Sequence, residues 1–343
     1  MILILTEDNE HNADRVIDWI VHFQGCFIRI NREEPVSLQN LHLGKEELEN
    51  DVQLSRGSDE SVTSLNSINA YWYRRGQLCF EEMNNEVFQG ETALDKEIRS
   101  HLRQEISTVE HFIYHWLQHR VRLSIGSFQD IHLNKLSVLT LAQSCGLSIP
   151  ETCITGSSAR ALMFYNSARA AGNEIISKSI NNSPYFILNS RLHMAYTERV
   201  EPSSIVNKPP WFFPSLFQME IRKKYDLRIF YLQGVFYTMA ILSQAGKQTT
   251  TDFRKYDFKK PNRKVPFNLP DKEEQKLRLL MNKLSLHTGS IDMIAAEDGA
   301  YYFLEVNPLG QFGMVAAPCN YPIYELHALA LLGIKTTHEK EPV

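Results

Sequence analysis

The sequence predicts a mixed chain, an α/β layer at the N-terminus followed by an α+β unit, and three observations predict it. Residues 2–30 read as strand, helix, strand; short helices and strands alternate from Asn134 onward; and the runs 227–242 and 290–307 read as hairpins. Apolar content of 43% and charged content of 22% suit a soluble globular protein, and 343 residues suffice for two or three modest domains. A net charge of -4 argues against a protein that mainly binds nucleic acid. The opening MILILTEDNE meets acidic residues at once, so neither a signal peptide nor a membrane span is expected. The cysteines Cys26, Cys79, Cys145, Cys153 and Cys319 are scattered without a CxxC pair, which suits a reduced, cytoplasmic protein.

Residues 2–5 form the first strand, and Val16, Trp19, Ile20 and Phe23 recur at helical spacing before a second strand at 26–30. The stretch 39–66 is polar, with acids at Glu46, Glu47, Glu49 and Asp51, and is expected to run over the surface. Residues 70–74 make a strand ending at Arg74, Arg75 and Gly76. A long helix follows, marked by Leu94, Ile98, Leu102, Ile106, Val109, Ile113 and Trp116. Its last turns align His111, His115 and His119, either a zinc ladder or solvated histidines beside a core stripe. Asn134 is a natural N-cap for a helix carrying Leu136, Leu139 and Ala142, which Gly146 and Pro150 end. A second helix spans 157–171, and a strand at 174–180 carries Lys178 near its end. A hairpin turns at Gln233 and Gly234, and Asp271 with Glu274 has the spacing of a capping box opening a helix to 287.

The last hairpin carries the strongest chemical signal. Asp298-Gly299 suits a two-residue type I′ turn with positive φ at both residues, and that register sets Asp292 directly opposite Glu305. Asn307 joins them on one face, while Ile291, Met293, Leu304 and Val306 share the other. Two opposed carboxylates repel, so the cluster calls for a cation, and hard oxygen ligands without Cys or His point to Mg²⁺. The alternative is an ordinary solvated hairpin face. Lys178 in IISKSI and Lys135 just inside a helix start are candidates to hold a phosphate, or are surface lysines. Lys135 opposes the helix dipole and needs a reason to be there. Arg228 could stabilise charge on a transferring phosphoryl group or an oxyanion, or could pair with Asp226 on the same strand face. Residues 247–264 set seven basic residues against Asp252 and Asp257, interleaved with Phe253, Tyr256 and Phe258. Such a segment suits nucleic acid, an acidic peptide or plain solvation, and the acidic remainder of the chain favours a local docking surface.

In order, Lys135, Lys178, the Gln218-Met219-Glu220-Ile221 segment, Arg228, Asp292 and the EVNP at 305–308 resemble the ATP-grasp ligases. WYRRG at 72–76, FQMEIRKKYDLRIFY at 217–231, TDFRKYDF at 251–258 and FLEVNPLGQFGMVAAPCNY ending at Tyr321 are similar to the grasp-with-spasm peptide maturases, the graspetide synthetases related to microviridin ligases. The resemblance spans nearly the whole chain, and it is the shared order and spacing that carry it. It implies an ATP-grasp fold with an N-terminal α/β pre-ATP-grasp domain, divided as 1–125, 126–215 and 216–335. It further implies that Lys135 and Lys178 hold ATP phosphates, that the hinge of Gln218, Glu220 and Ile221 reads adenine, and that Asp292, Glu305 and Asn307 bind two Mg²⁺ ions. Met219 stands directly after the glutamine, where many such hinges place an acid.

Members of that family phosphorylate a side-chain carboxylate of a ribosomally made precursor peptide, and a nearby Thr, Ser or Lys side chain attacks the acyl phosphate. The implied products are a macrocyclic ester or amide, ADP and phosphate. Arg254, in Asp252-Phe253-Arg254, matches the motif that grips the acidic side chain of the core peptide, and Arg228 serves the transferring phosphoryl group. A precursor peptide with a leader, a homodimer, and no nucleic-acid or membrane partner are the partners so implied. The alternatives are an ATP-grasp ligase adding amino acids to a protein tail, and a nucleotide-binding regulator that turns nothing over.

Overall fold

The computed structural model describes residues 1–56, 59–80, 92–181, 185–189, 191–194, 196–243 and 262–335. They group into two compact units. The first takes in the described residues of 1–132, 311–316 and those from 322 onward, and the second the described residues of 133–310 together with 317–321.

The first unit begins with β1 (Ile2–Thr6), α1 (His11–His22), β2 (Phe27–Asn31), β3 (Pro35–His42), β4 (Asp51–Arg56), β5 (Asp59–Ser64), β6 (Ala70–Tyr73), β7 (Cys79–Phe80), α2 (Ala93–Arg120) and β8 (Leu123–Ile125). A parallel sheet of order β2-β1-β6-β8 forms its centre. All five residues of β1 are buried, as expected of a strand covered on both faces. The polar stretch after residue 39 is not a wandering surface segment. It folds with β3 into a sheet of order β5-β4-β3-β7. Val36, Val52 and Leu54 supply its buried side, at alternate positions where β4 shows two of them. Helix α2 starts at Thr92, whose side chain and that of Asp95 cap each other's backbone. His119 Nδ1 lies 2.8 Å from the His115 carbonyl and His111 packs on Phe128, and no group of three or more His, Cys, Asp or Glu is poised to hold a metal among the described residues.

The second unit holds α3 (Lys135–Ser144), β9 (Thr152–Ser157), α4 (Ser158–Ala170), β10 (Ile175–Lys178), β11 (Tyr185–Leu188), β12 (Arg191–Met194), β13 (Glu198–Arg199), α5 (Pro202–Val206), β14 (Trp211–Met219), β15 (Lys223–Leu232), β16 (Val235–Leu242), β17 (Arg263–Pro266), α6 (Asp271–Lys283), β18 (Thr288–Ala296) and β19 (Tyr301–Asn307). Sheets of order β13-β10-β14-β9 and β17-β16-β15-β18-β19 carry it. Gln233 and Gly234 both have positive φ, the turn a two-residue hairpin between β15 and β16 needs. One side of the five-stranded sheet, with Leu227, Ile229, Ala240, Ile291, Met293, Phe303 and Val306, packs on Val138 and Ala142 of α3 and on Leu277, Leu280 and Met281 of α6. The expected capping box of α6 does not form. Pro270 is the N-cap, and Asp271, Glu273 and Glu274 fill the first turn, where their charges favour the helix dipole.

After α7 (Gly313–Cys319), α8 (Ile323–Leu332) returns to the first unit, where it meets α1 and β6. Glu10 caps α1, accepting from the N–H groups of Asn12 and Ala13 at 2.7 and 3.1 Å, and takes the Arg74 guanidinium at 2.8 Å. Arg74 lies over the Phe312 ring, and Asn12 accepts from the Gly313 N–H. His327 of α8 is packed between Trp72 and Phe312, and neither ring nitrogen has a hydrogen-bond partner among the described residues. Burial pushes its pKa down to about 3, and the Arg74 charge adds to that effect. The unfolded chain binds this proton near pH 6.5 while the folded one refuses it, so stability is full above pH 6.5 and drains as pH falls toward 3. We expect about 2 kcal/mol of loss from this source between pH 7 and pH 5. Urea unfolding of the native chain and of His327→Phe at both pH values checks it; equal acid sensitivity in the two would refute the assignment. No helix among the described residues is long and apolar enough to cross a membrane.

Candidate functional site

The site is built on β18 and β19, and its register is reached by a route the sequence does not reveal. The connecting turn has three residues, not two: Gly299 donates to the Ala296 carbonyl, and Ala296 and Ala300 close the loop at 2.8 Å. Gly299 alone has positive φ, 88°, so the type I′ expectation fails at Asp298. Ala295 consequently pairs with Tyr301, one position out of the expected register. A β-bulge between Met293 and Asp292 then takes up one residue, Leu304, and restores Asp292 opposite Glu305. Phe303, not Leu304, therefore joins the apolar core.

Across the sheet, Met239, Arg228, Asp292 and Glu305 are successive register partners and make one row on the face away from that core. Both Asp292 oxygens lie on Arg228 Nη1, at 2.5 and 2.6 Å. Lys135 Nζ sits 2.6 Å from Glu305 Oε2, an anionic partner that offsets the unfavourable place of a lysine at the start of α3. Asn307 follows at the exposed end of β19, its Oδ1 accepting from the Leu309 N–H at 3.1 Å. Burial pushes the Asp292 carboxyl above the ordinary aspartate range, with Arg228 opposing and the Glu305 charge adding to the rise. Glu305 feels burial in the same sense, but Lys135, Lys178 and Arg228 outweigh it and hold its carboxyl below the ordinary glutamate range. The result is a pair of adjoining carboxyls, Glu305 held below its ordinary range and Asp292 pushed above its own, framed by three cations.

This set fits a hard divalent cation. It offers two carboxylates and an amide oxygen, the donor types that Mg²⁺ takes when phosphate oxygens complete its shell. Arg228 Nε is buried with no partner among the described residues, a donor still lacking an anionic acceptor.

On the four-stranded sheet, register places Thr152, Ile154, Ile176, Lys178, Leu216 and Gln218 on one face, opposite the face where Ile175 and Phe217 pack against α4 and α5. Lys178 ends β10, partly exposed. Gln218 is buried and donates from Nε2 to Thr152 Oγ1 at 2.8 Å. The N–H groups of Met219 and Glu220 go to the carbonyls of Glu151 and Glu174, while that of Ile221 has no partner among the described residues. The Glu220 carboxylate takes Arg199 Nε at 2.6 Å. Arg254 and most of the basic segment lie outside the described residues.

Asp226 does not pair with Arg228. Its two oxygens each lie 2.9 Å from Lys223 Nζ, and the second accepts from Ser243 Oγ. Lys223 went unnoticed in the sequence because strand residues three apart face opposite sides. A bulge between Lys223 and Tyr225 turns Lys223 onto the Asp226 face.

No protein-family model matches the sequence, and no curated protein sequence does. Solved structures do match it over nearly its whole length. The chain is similar to a RiPP-associated ATP-grasp ligase of Chryseobacterium gregarium, solved in complex with ADP and a leader and core peptide, at 22% identity and a TM-score of 0.78, covering 98% of this chain and 97% of that one. Macrocyclase MdnC of Microcystis aeruginosa MRC, bound with precursor peptide MdnA, shares 24% identity at a TM-score of 0.74, covering 98% of this chain and 100% of that one. The ATP-grasp ligase PsnB, complexed with minimal precursor, Mg and ADP, shares 14% at 0.70, with 97% and 96% covered. This chain has the ATP-grasp fold with an N-terminal α/β domain, and its structural resemblance is to RiPP-associated ATP-grasp ligases and microviridin-type macrocyclases.

Proposed function

We propose that this protein is an ATP- and Mg²⁺-dependent peptide ligase that activates Asp or Glu side chains of a ribosomally made precursor and closes side-chain ester or amide rings, acting as a homodimer. The observation that carries the reading is the row of Arg228, Asp292 and Glu305, closed by Lys135, on one sheet face. A carboxylate attacking a γ-phosphate meets repulsion between anions, so cations around the phosphates are the main requirement and few acids or bases are needed. Two Mg²⁺ ions held by Asp292, Glu305 and Asn307 would supply that neutralisation. Lys135 and Lys178 would bind the ATP phosphates beside Glu305. Arg228, whose Nε lacks an acceptor among the described residues, would hold the transferring phosphoryl group. The N–H of Ile221, without a partner among the described residues, would read the adenine edge with Gln218 and Glu220 next to it. Arg254 would grip the acidic side chain of the peptide.

A peptide carboxylate oxygen takes the γ-phosphoryl group and ADP leaves. A Thr or Ser hydroxyl, or a Lys amine, then attacks the acyl carbon, loses its proton, and expels phosphate. Each ring costs one ATP and removes the elements of one water from the peptide. The neighbouring structures named with leader and core peptides, MdnA, or minimal precursor support a peptide as substrate. Incubation of the protein, sized by light scattering, with ATP, Mg²⁺ and the precursor encoded beside its gene tests the reading. The expected mass loss is one water per ring, with ADP released. A precursor that keeps its mass while ATP turns over would sink the ring-closing claim, and a gain in mass would instead favour the addition of amino acids.

A further inference from the structure

Two tyrosines pack against each other at the five-stranded sheet, and their hydroxyls have different fates. The rings of Tyr237 and Tyr321 lie 5.6 Å apart at 60°, and Tyr321 donates to the Thr238 carbonyl at 2.8 Å. Tyr237 is partly buried, yet its hydroxyl has no hydrogen-bond partner among the described residues. A tyrosine hydroxyl drawn out of water normally finds a partner, and a phenylalanine would fill the same space without needing one. Burial pushes this phenol up to about 12, so it keeps its proton and stays a neutral donor.

Register gives that hydroxyl a neighbour. Tyr237 pairs with Phe230 and Met239 with Arg228, so Tyr237 is diagonal to Arg228 on the face that carries Asp292 and Glu305. Residues so related stand roughly 7–8 Å apart, within reach of an aromatic and a long side chain. Strand order adds a direction: Asp292 on β18 and Glu305 and Asn307 on β19 lie to one side of β15, and Tyr237 on β16 lies to the other. A phosphoryl group passes in line between its donor and its acceptor. With the nucleotide phosphates at the residues of β18 and β19 and the phosphoryl group at Arg228, the acceptor comes from the β16 side.

We infer that Tyr237 is a further substrate-binding residue, whose hydroxyl donates to the peptide carboxylate that attacks the γ-phosphoryl group. The assignment rests on the function proposed above, and it adds a second donor to the carboxylate that Arg254 would grip. One carboxylate oxygen accepts from Tyr237 while the other takes the phosphoryl group and ADP leaves; the phenol keeps its proton throughout.

The test is Tyr237→Phe, which keeps the ring on Tyr321 and removes only the hydroxyl. With ATP, Mg²⁺ and the precursor peptide, kcat/KM for the precursor is expected to fall roughly 10-fold or more, the value of one hydrogen bond to a charged group. The Kd for AMPPNP by calorimetry is expected to stay within about twofold of wild type, and the thermal melt to stay unchanged, because the hydroxyl holds nothing in the free protein. Tyr321→Phe is the control. It removes the hydroxyl bonded to Thr238, so it is expected to lower the melt and leave kcat/KM for the precursor within about twofold at matched folded fraction. Several results would overturn the inference: an unchanged kcat/KM in Tyr237→Phe, an equal loss in Tyr321→Phe, a Kd for AMPPNP raised as much as kcat/KM is lowered, or a Tyr237→Phe chain that folds poorly. Rings closed equally fast by wild type and Tyr237→Phe sink this inference alone, whereas a wild type that closes none sinks the functional reading and the inference with it.

Discussion

Glu305→Gln is expected to lower turnover by at least about 10³-fold while leaving the fold intact. Glu305 is the point where the charges of the site converge: its carboxylate holds Lys135, faces Asp292 across the hairpin, and is kept ionised by Lys135, Lys178 and Arg228. Glutamine keeps the shape and one oxygen but removes the charge that would anchor a divalent cation and that now orders the Lys135 ammonium. The side chain is 36% exposed, so the amide can turn to water and little stability is at risk. ADP release, metal binding by calorimetry and a thermal melt should be measured together. Loss of turnover with an unchanged melt is the expected result; near-normal product formation would remove Glu305 from the site.

Arg74→Met is expected to destabilise the first unit by about 3–5 kcal/mol, because it strands a buried carboxylate. Arg74 and Glu10 side chains are 3% and 2% exposed. Burial alone would raise the Glu10 pKa, but Arg74, Asn12 and the Ala13 N–H outweigh it and hold the carboxyl below its ordinary value. Its contribution to stability is therefore present above the unfolded value of about 4.5 and is lost as pH falls through the lower folded value. Without Arg74 that balance reverses, and Glu10 must either stay charged in a poor environment or take a proton. Trp19, Trp72 and Trp116 belong to the first unit, and the fourth tryptophan, Trp211 of the second unit, is already 77% exposed, so with Trp211→Phe as background tryptophan fluorescence in urea follows the first unit's unfolding. Adding Glu10→Gln should recover much of the loss, since it removes the stranded charge. A change below about 1 kcal/mol in Arg74→Met would show that the pair is dispensable.

Much of the candidate site was legible because side chains on one strand face recur every second residue, which let Asp292, Glu305 and Asn307 be grouped without coordinates; Arg228 was set beside Asp226 on its own strand and joined that group only through the family resemblance. The local turn was not legible. Asp298-Gly299 is compatible with both a two-residue and a three-residue loop, and what separates them is the φ of one residue. The register came out right because the longer turn and the bulge at Leu304 cancel. Bulges defeated the reading elsewhere too, hiding Lys223 from Asp226. The sheet formed by β3, β4 and β5 was hidden for another reason: its outward positions are so polar that Val52 and Leu54 were lost among acids and serines. Composition describes a solvated face well, and says little about whether a strand lies beneath it.

The return of α8 to the first unit has a consequence for synthesis. That unit is discontinuous in the chain: its parallel sheet is encoded before residue 132, yet Trp72 packs on His327 and Arg122 donates to the Leu331 carbonyl. A ribosome delivers all the strands of the second unit before it delivers α8, so the second unit can close its core while the first still waits for its last helix. The order of completion is thus the reverse of the order of translation, and the α1 surface that α8 covers stays open until α8 itself has been made.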